Sequence, residues 1–245
     1  MKISLVQIEA IPGNIEKNAE KHLDFIERAS LHHPDLIAFP ELSLTGYEPK
    51  LATALAMDEN DNRLEVFGMH SQRYGVSIAL GLPLRSPEGI YIGMVIFHPD
   101  GKKQVYRKQM LHDDEKPFFI AGSEQVLIEI KELKVALAIC YEAFQDAHLL
   151  GCLDRGADIY LATASKHFDG VRQAYGFIRG NAPKHGIPIL MANSVGHCDH
   201  FLSAGGTSIW SAKGNLLQQL GYSEEGILHF EHEKRGKDSD LSALV

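Results

Sequence analysis

Cys140, Glu41 and Lys108 combine reactive chemistry with a shared kind of position. Cys140 follows the apolar run Val135-Ala136-Leu137-Ala138-Ile139. Glu41 follows Asp35-Leu36-Ile37-Ala38-Phe39 and Pro40, and Lys108 comes just after Gln104-Val105-Tyr106. Each lies just past the end of an expected strand, where α/β proteins place their sites. A thiol with a pKa near 8.5 is only about 3% thiolate at pH 7, so a cysteine nucleophile needs a base or a cation beside it. Glutamate supplies the base and lysine the cation. Together they provide nucleophile, proton acceptor and oxyanion partner for acyl transfer. Singly, each has a plainer reading as a core thiol, a solvated glutamate or a surface lysine. The recurrence of the strand-end position sets the three apart. Cys152 falls in a helical stretch and Cys198 in a polar loop, so neither shares it.

The elements that must position these residues alternate along the chain. Residues 2–8 read as a β-branched strand. Asn14 offers an N-cap, and Ile15, Ala19, Leu23, Ile26 and Ala29 form one helical stripe. Residues 35–39, stopped by Pro40, make a buried parallel strand, so the chain opens as a βαβ unit. A helix is expected near 61–74, then strands at 76–84, 91–98 and 102–106, the last two joined by a Pro99-Asp100-Gly101 turn. Strands at 125–130 and 133–139, a helix at 145–154, a strand at 158–162 and a helix at 169–184 follow. The remaining strands fall near 187–193, 205–210, 215–220 and 226–231, with a polar surface tail from about His232 to Asp240. The interleaving predicts one α/β domain over 1–245.

Composition narrows the function. The 245 residues carry 24 Lys and Arg against 32 Asp and Glu, a net charge of −8. Such a chain lacks the positive field that non-specific nucleic-acid binding needs. No stretch approaches the ~20 apolar residues of a membrane span. The apolar run at the start is too short for a signal peptide. Three cysteines are an odd number in a long chain and read as reduced thiols, so a cytoplasmic protein is expected. His197-Cys198-Asp199-His200 holds metal-type side chains, but adjacent residues do not converge easily on one ion, and a polar loop is expected. His112-Asp113-Asp114 reads as a solvated loop.

Three segments resemble the nitrilase superfamily of carbon–nitrogen hydrolases. Phe39-Pro40-Glu41-Leu42-Ser43-Leu44-Thr45-Gly46-Tyr47 is similar to its catalytic-glutamate segment. Tyr106-Arg107-Lys108-Gln109-Met110-Leu111, with Glu115 and Phe118-Phe119-Ile120-Ala121-Gly122, is similar to its lysine segment. Leu137-Ala138-Ile139-Cys140-Tyr141-Glu142 is similar to its nucleophile segment. The three occur in the family order, and the resemblance runs from Met1 to about Phe230. It implies a four-layer α-β-β-α sandwich, paired into a homodimer. It implies that Cys140 attacks an amide, carbamoyl or nitrile carbon, with Glu41 as base. Lys108 and the Tyr141 N–H would hold the oxyanion, and a thioester would form and hydrolyse. Glu115 matches a second glutamate that positions substrate or the lysine. Tyr47, Tyr141, Glu142 and Ser165 are expected to help position substrate, and no metal or organic cofactor is required.

Departures from the family pattern qualify the substrate. Met110 stands where many members carry histidine, and Asn181 and Lys184 stand where arginine and glutamate are usual. The segment after Cys140 lacks the arginine that often binds a substrate carboxylate. The reading favoured is a hydrolase of a small linear amide, an ω-amide or N-carbamoyl amine. A nitrilase and an inactive binding protein on the same fold are the alternatives. The lipoprotein-acylating branch shares Cys-Tyr-Glu but needs membrane spans.

Overall fold

The computed structural model describes residues 1–232. The chain forms β1 (Lys2–Gln7), α1 (Ile15–Ser30), β2 (Leu36–Ala38), α2 (Ala52–Leu55), α3 (Glu65–Tyr74), β3 (Ser77–Ser86), β4 (Gly89–Phe97) and β5 (Lys103–Arg107). It continues through β6 (Leu127–Ile130), β7 (Leu133–Ile139), α4 (Asp146–Asp154), β8 (Ile159–Ala164), α5 (Phe168–His185) and β9 (Ile189–Asn193). The last strands are β10 (Val195–Cys198), β11 (Phe201–Ala204), β12 (Ser208–Trp210), β13 (Leu216–Gln219) and β14 (Gly226–Glu231). The strands build two six-stranded sheets, in the orders β14-β1-β2-β3-β4-β5 and β13-β12-β9-β8-β7-β6.

Period-two side-chain alternation explains the four layers. In β7, Val135, Leu137 and Ile139 point into the core between the sheets, while Ala136 and Ala138 pack toward the helices. In β8, Leu161 faces inward and Tyr160 and Ala162 outward. Leu36 and Ala38 of β2 face inward, and Ile37 faces the helix layer. Both faces are thus covered, which is why these strands read as continuous apolar runs. Phe25, Ile26 and Ala29 of α1 and Phe67 of α3 cover the first sheet. Leu149 and Cys152 of α4, with Val171, Ala174, Ile178 and Ala182 of α5, cover the second. This is the α-β-β-α sandwich that the sequence resemblance implied.

Topology gathers the candidate residues at one edge. β1, β2 and β3 run parallel. β4 reverses and β5 reverses again, so β5 ends at the same edge as β2. Glu41 and Lys108 follow those two ends. In the second sheet β7, β8 and β9 are parallel, and Cys140 and Ser165 follow the ends of β7 and β8.

Some expectations required adjustment. The helix expected at 61–74 begins as a 3₁₀ turn at Asn62–Leu64 and becomes α-helical at Glu65. The strand expected at 205–210 shortens to β12 because Gly205 and Gly206 both take positive φ. The polar loop expected at His197–His200 is instead the β10–β11 hairpin, turned at Asp199–His200, with Cys198 buried against the inner core. Beyond His232 the expected surface tail lies outside the described residues. Among the described residues no helix is long and apolar enough to cross a membrane. Among them, no group of three or more His, Cys, Asp or Glu side chains could hold a metal ion.

Candidate active site

Strand alternation alone would send the Cys140 side chain toward the helices, like Ala138. The backbone prevents this. Cys140 takes φ 48°, a left-handed conformation that a non-glycine residue holds only when its surroundings enforce it. Its N–H donates to Thr163 O (2.8 Å), and the side chain packs against the inner cluster instead. The thiol sulfur lies 4.0 Å from Ser165 O. Its open side faces a cavity of about 610 Å³.

Glu41 reaches the same place from the other sheet. Its segment crosses β3 at Gly81, where a Cβ would stand 2.3 Å from Pro40 O and 2.5 Å from the Leu42 N. Only glycine permits that approach. Leu44 N donates to Gly81 O (3.1 Å), and Leu42 takes φ 49° as the chain turns. Lys108 is held by its N–H to Ile92 O (2.9 Å) and by Gly122 N donating to its carbonyl (2.8 Å). Gly122 is needed for the same reason as Gly81: a Cβ there would lie 2.5 Å from Arg107 O.

Lys108 is wholly buried and bridges two carboxylates. Its Nζ donates to Glu41 Oε1 (2.8 Å) and Glu115 Oε1 (2.6 Å). Tyr47 OH donates to Glu115 Oε1 (3.1 Å), and His112 N donates to Oε2 (2.8 Å). Glu115 therefore has both oxygens occupied, whereas Glu41 does not. Among the described residues, Glu41 Oε2 and Thr163 Oγ1 are the buried side-chain polar atoms without a partner.

The protonation energetics follow from burial and charge. Burial pushes the Glu41 pKa up. The Lys108 charge pulls it down, Glu115 pushes it up again, and hydrogen bonding from Lys108 lowers it, leaving a net rise. Burial opposes the Lys108 ammonium, but the charges of Glu41 and Glu115 outweigh it and hold the group well above the usual lysine range. The Cys140 thiol is pushed up to about 12, first by burial and then by Glu41, against the pull of Lys166 and Lys108. Cys140 therefore rests as a neutral thiol, and the Glu41 carboxyl keeps one oxygen unpartnered.

The cavity gathers most of the residues expected to position substrate, but not all. Tyr47, Glu115, Tyr141 and Ser165 line it. Ser165 Oγ also donates to the Glu41 carbonyl (3.2 Å), tying the two sheets together. Glu142 does not line the cavity, which corrects the expectation for it. It is fully buried, and both oxygens are filled. Tyr106 OH (2.6 Å) and Ile139 N (2.8 Å) donate to Oε1, while Gln109 N (2.6 Å) and Met110 N (3.1 Å) donate to Oε2. It cross-links the chain just before Cys140 to the chain just after Lys108. Met110 contributes its backbone to that link, and Asn181 Nδ2 donates to Phe177 O within α5 (3.2 Å).

Sequence reading missed other lining residues. Gln173, Ala174 and Phe177 come from α5, and His200 and Phe201 from the β10–β11 turn. A helical i, i+4 spacing could have flagged Gln173 and Phe177. Nothing local marks the hairpin. A larger hollow of about 670 Å³, lined by Asp35, His98 and Glu129 among others, lies at the opposite strand ends and contains none of the candidate residues.

A four-layer sandwich with buried Glu–Lys–Glu side chains beside a strand-end thiol defines a class of α/β protein. The family profile for carbon–nitrogen hydrolase matches residues 2–232, and the chain belongs to that family. It is 27% identical over 240 residues to a glutamine-dependent NAD(+) synthetase of Thermotoga maritima, covering 93% of this chain and 41% of that protein. The chain thus spans about two fifths of the length of such synthetases. A 2-oxoglutaramate amidase of Bacillus subtilis is 26% identical over 233 residues, covering 94% of this chain and 89% of that one. The fold matches the amidase of Nesterenkonia sp. AN1 at a TM-score of 0.87 and 23% identity, over 95% of this chain and 93% of the other.

Proposed function

We propose that this protein hydrolyses the carbon–nitrogen bond of a small linear amide through a thioester on Cys140. The carrying observation is the Glu41 carboxyl, one oxygen fixed by Lys108 and the other unpartnered, buried close enough for its charge to act on the Cys140 thiol. Family membership and the amidase relatives support amides as the substrate class.

As Sγ attacks the carbonyl carbon, its proton passes to Glu41. A carboxylate with a raised pKa is the stronger acceptor for a reluctant thiol. The oxyanion that forms meets the Lys108 ammonium and the Tyr141 N–H. Glu41 then returns the proton to the leaving nitrogen, the C–N bond breaks, and a thioester remains. Water attacks the thioester with Glu41 again as base, the C–S bond breaks to release the acid, and Glu41 returns the proton to the Cys140 sulfur. Glu115 and Tyr47 orient Lys108, and Tyr141 and Ser165 shape the substrate wall. A single hydrolase domain, a homodimer and a cytoplasmic setting belong to the same reading.

The test is ammonia release across a panel of primary amides, N-carbamoyl amines and nitriles, with Cys140→Ala as control. Amide turnover that vanishes in the variant, with an acyl mass on Cys140, is expected. Turnover of nitriles alone would favour the nitrilase alternative. No turnover and no acyl adduct would leave a binding protein on the same fold.

A further inference from the structure

Lys166 is a cation on the cavity wall that the mechanism above does not use. Its backbone is clamped. Its N–H donates to Asn193 Oδ1 (2.8 Å), and its carbonyl accepts from Asn193 Nδ2 (3.1 Å), Ser203 Oγ (3.2 Å) and Ala204 N (2.9 Å). The ends of β8 and β9 and the β10–β11 hairpin therefore fix where its side chain begins. The stem runs along Gly170 of α5, and the ammonium sits 4.8 Å from the centroid of the Phe144 ring. A ring face attracts a cation but leaves its charge uncancelled.

The other charges of the cavity are already engaged. Glu115 is bound to Lys108 and Tyr47, and Asp114 Oδ1 lies 2.6 Å from His112 Nδ1. Among the described residues Lys166 has no carboxylate within ion-pair distance. Lys166 and Cys140 line the same cavity. The thiol sulfur is 4.0 Å from Ser165 O, the carbonyl bonded to the Lys166 nitrogen, and the Lys166 charge is felt by the thiol. Phe144, Phe177 and Phe201 supply apolar wall around it.

We infer that Lys166 anchors a carboxylate on the substrate, so that this site selects short amides with an anionic far end over neutral amides of the same length. The inference rests on the amide-hydrolase reading for its substrate, but the anion site can be probed without turnover. A carboxylate there would form a charge-assisted hydrogen bond in a partly desolvated pocket. The apolar rings would pack the intervening methylenes.

The experiment compares succinamate and glutaramate with propionamide and butyramide in the wild type, Lys166→Met and Lys166→Arg. The wild type should prefer the anionic amides in kcat/KM. Lys166→Met should lower the anionic-to-neutral ratio by about tenfold or more, mainly through KM, and Lys166→Arg should restore part of it. In parallel, Cys140 is alkylated with iodoacetate and with iodoacetamide, the modified residue being located by mass spectrometry. Lys166→Met should lower the iodoacetate-to-iodoacetamide rate ratio several-fold. A shifted alkylation ratio in a protein that hydrolyses none of the amides would uphold the anion site and sink the hydrolase reading. An unchanged alkylation ratio, a wild-type preference for neutral amides, or an equal loss on both amide classes would overturn the role of Lys166.

Discussion

Glu41 and Glu142 are both buried glutamates near the strand-end cysteine, and burial pushes both pKa values up. Their wiring differs. Glu142 accepts four hydrogen bonds, two on each oxygen, from three backbone N–H groups and one phenol. Glu41 accepts one: Lys108 donates to Oε1, and Oε2 is left without a partner. A carboxylate whose lone pairs are all spent can hold two chain segments in register but cannot readily take a new proton. One with an open oxygen can. An unpaired buried oxygen costs folding free energy, and such exceptions ask for an explanation. In the proposed mechanism that oxygen receives the Cys140 proton.

The contrast can be broken most severely at the thiol itself. Cys140→Ala should abolish amide hydrolysis, a loss of about 10⁴-fold or more in kcat, with little change in thermal stability. Glu41→Gln comes next. The amide oxygen can keep the Lys108 contact while the NH₂ occupies the unpartnered side, so folding should be preserved. Loss of the proton acceptor should lower kcat by about 10²–10⁴-fold. Single-turnover assays and a thermal melt of each variant check both statements. A Glu41→Gln protein that still acylates at the wild-type rate would remove Glu41 as base.

Lys108 is better tested by Arg than by Ala. Lys108→Ala leaves two carboxylates buried without a cation, which costs about 3–5 kcal/mol of stability and confuses the reading. Lys108→Arg keeps the charge but replaces a compact point donor with a planar fork. With the ammonium wholly enclosed, the fork should miss the oxyanion position, and kcat should fall by about 10²–10³-fold. Near-normal turnover would mean that charge alone suffices.

Glu142→Gln should give the reverse of Glu41→Gln. Whichever way the amide turns, its NH₂ must face backbone donors, either Ile139 N–H or the pair at Gln109 and Met110. That leaves donors opposed and should cost about 1–3 kcal/mol in urea denaturation. Cys140 and Lys108 would drift relative to one another, and kcat should fall by about 10–100-fold with little change in KM. A KM effect without a kcat effect would return Glu142 to the substrate wall.

The sequence made much of this visible, for a definite reason. Strands buried on both faces write continuous apolar runs, and the residue after each run is the natural place for chemistry. Glu41, Lys108 and Cys140 were legible in that way. Gly122 was legible only as part of a family-like segment, and Gly81 not at all, because the need for glycine arises where a distant segment crosses it. The role of Glu142 was misread because Cys-Tyr-Glu proximity in sequence suggests a shared pocket. The positive φ at Cys140 turns the thiol inward while Glu142 points into the protein. The β10–β11 hairpin was lost because His197-Cys198-Asp199-His200 is polar and short, and its fixed position depends on contacts with Ser194 and Lys166.

The smallest expected effect concerns pH and the two imidazoles that stand behind these carboxylates. His22 Nε2 lies 3.0 Å from Ser43 Oγ, two residues from Glu41. His148 Nε2 lies 2.9 Å from Tyr106 OH, which donates to Glu142. Burial lowers each imidazole pKa to about 4. The unfolded chain has these groups near 6.5, so between pH 6.5 and about 4 it binds protons that the native state refuses. Their contribution to stability is therefore complete above pH 6.5 and is lost as pH falls toward 4. Between pH 7 and pH 5 the loss should be about 2 kcal/mol for each imidazole. Glu41 and Glu142, held above the usual carboxylate range, act in the opposite sense and make the wild-type slope shallower. His22→Gln and His148→Gln separate the contributions, each flattening the fall in urea stability from pH 7 to pH 5 by about 2 kcal/mol. If neither substitution changes that slope, the imidazoles are charged in the folded protein, and both supporting networks would have to be redrawn with an extra proton.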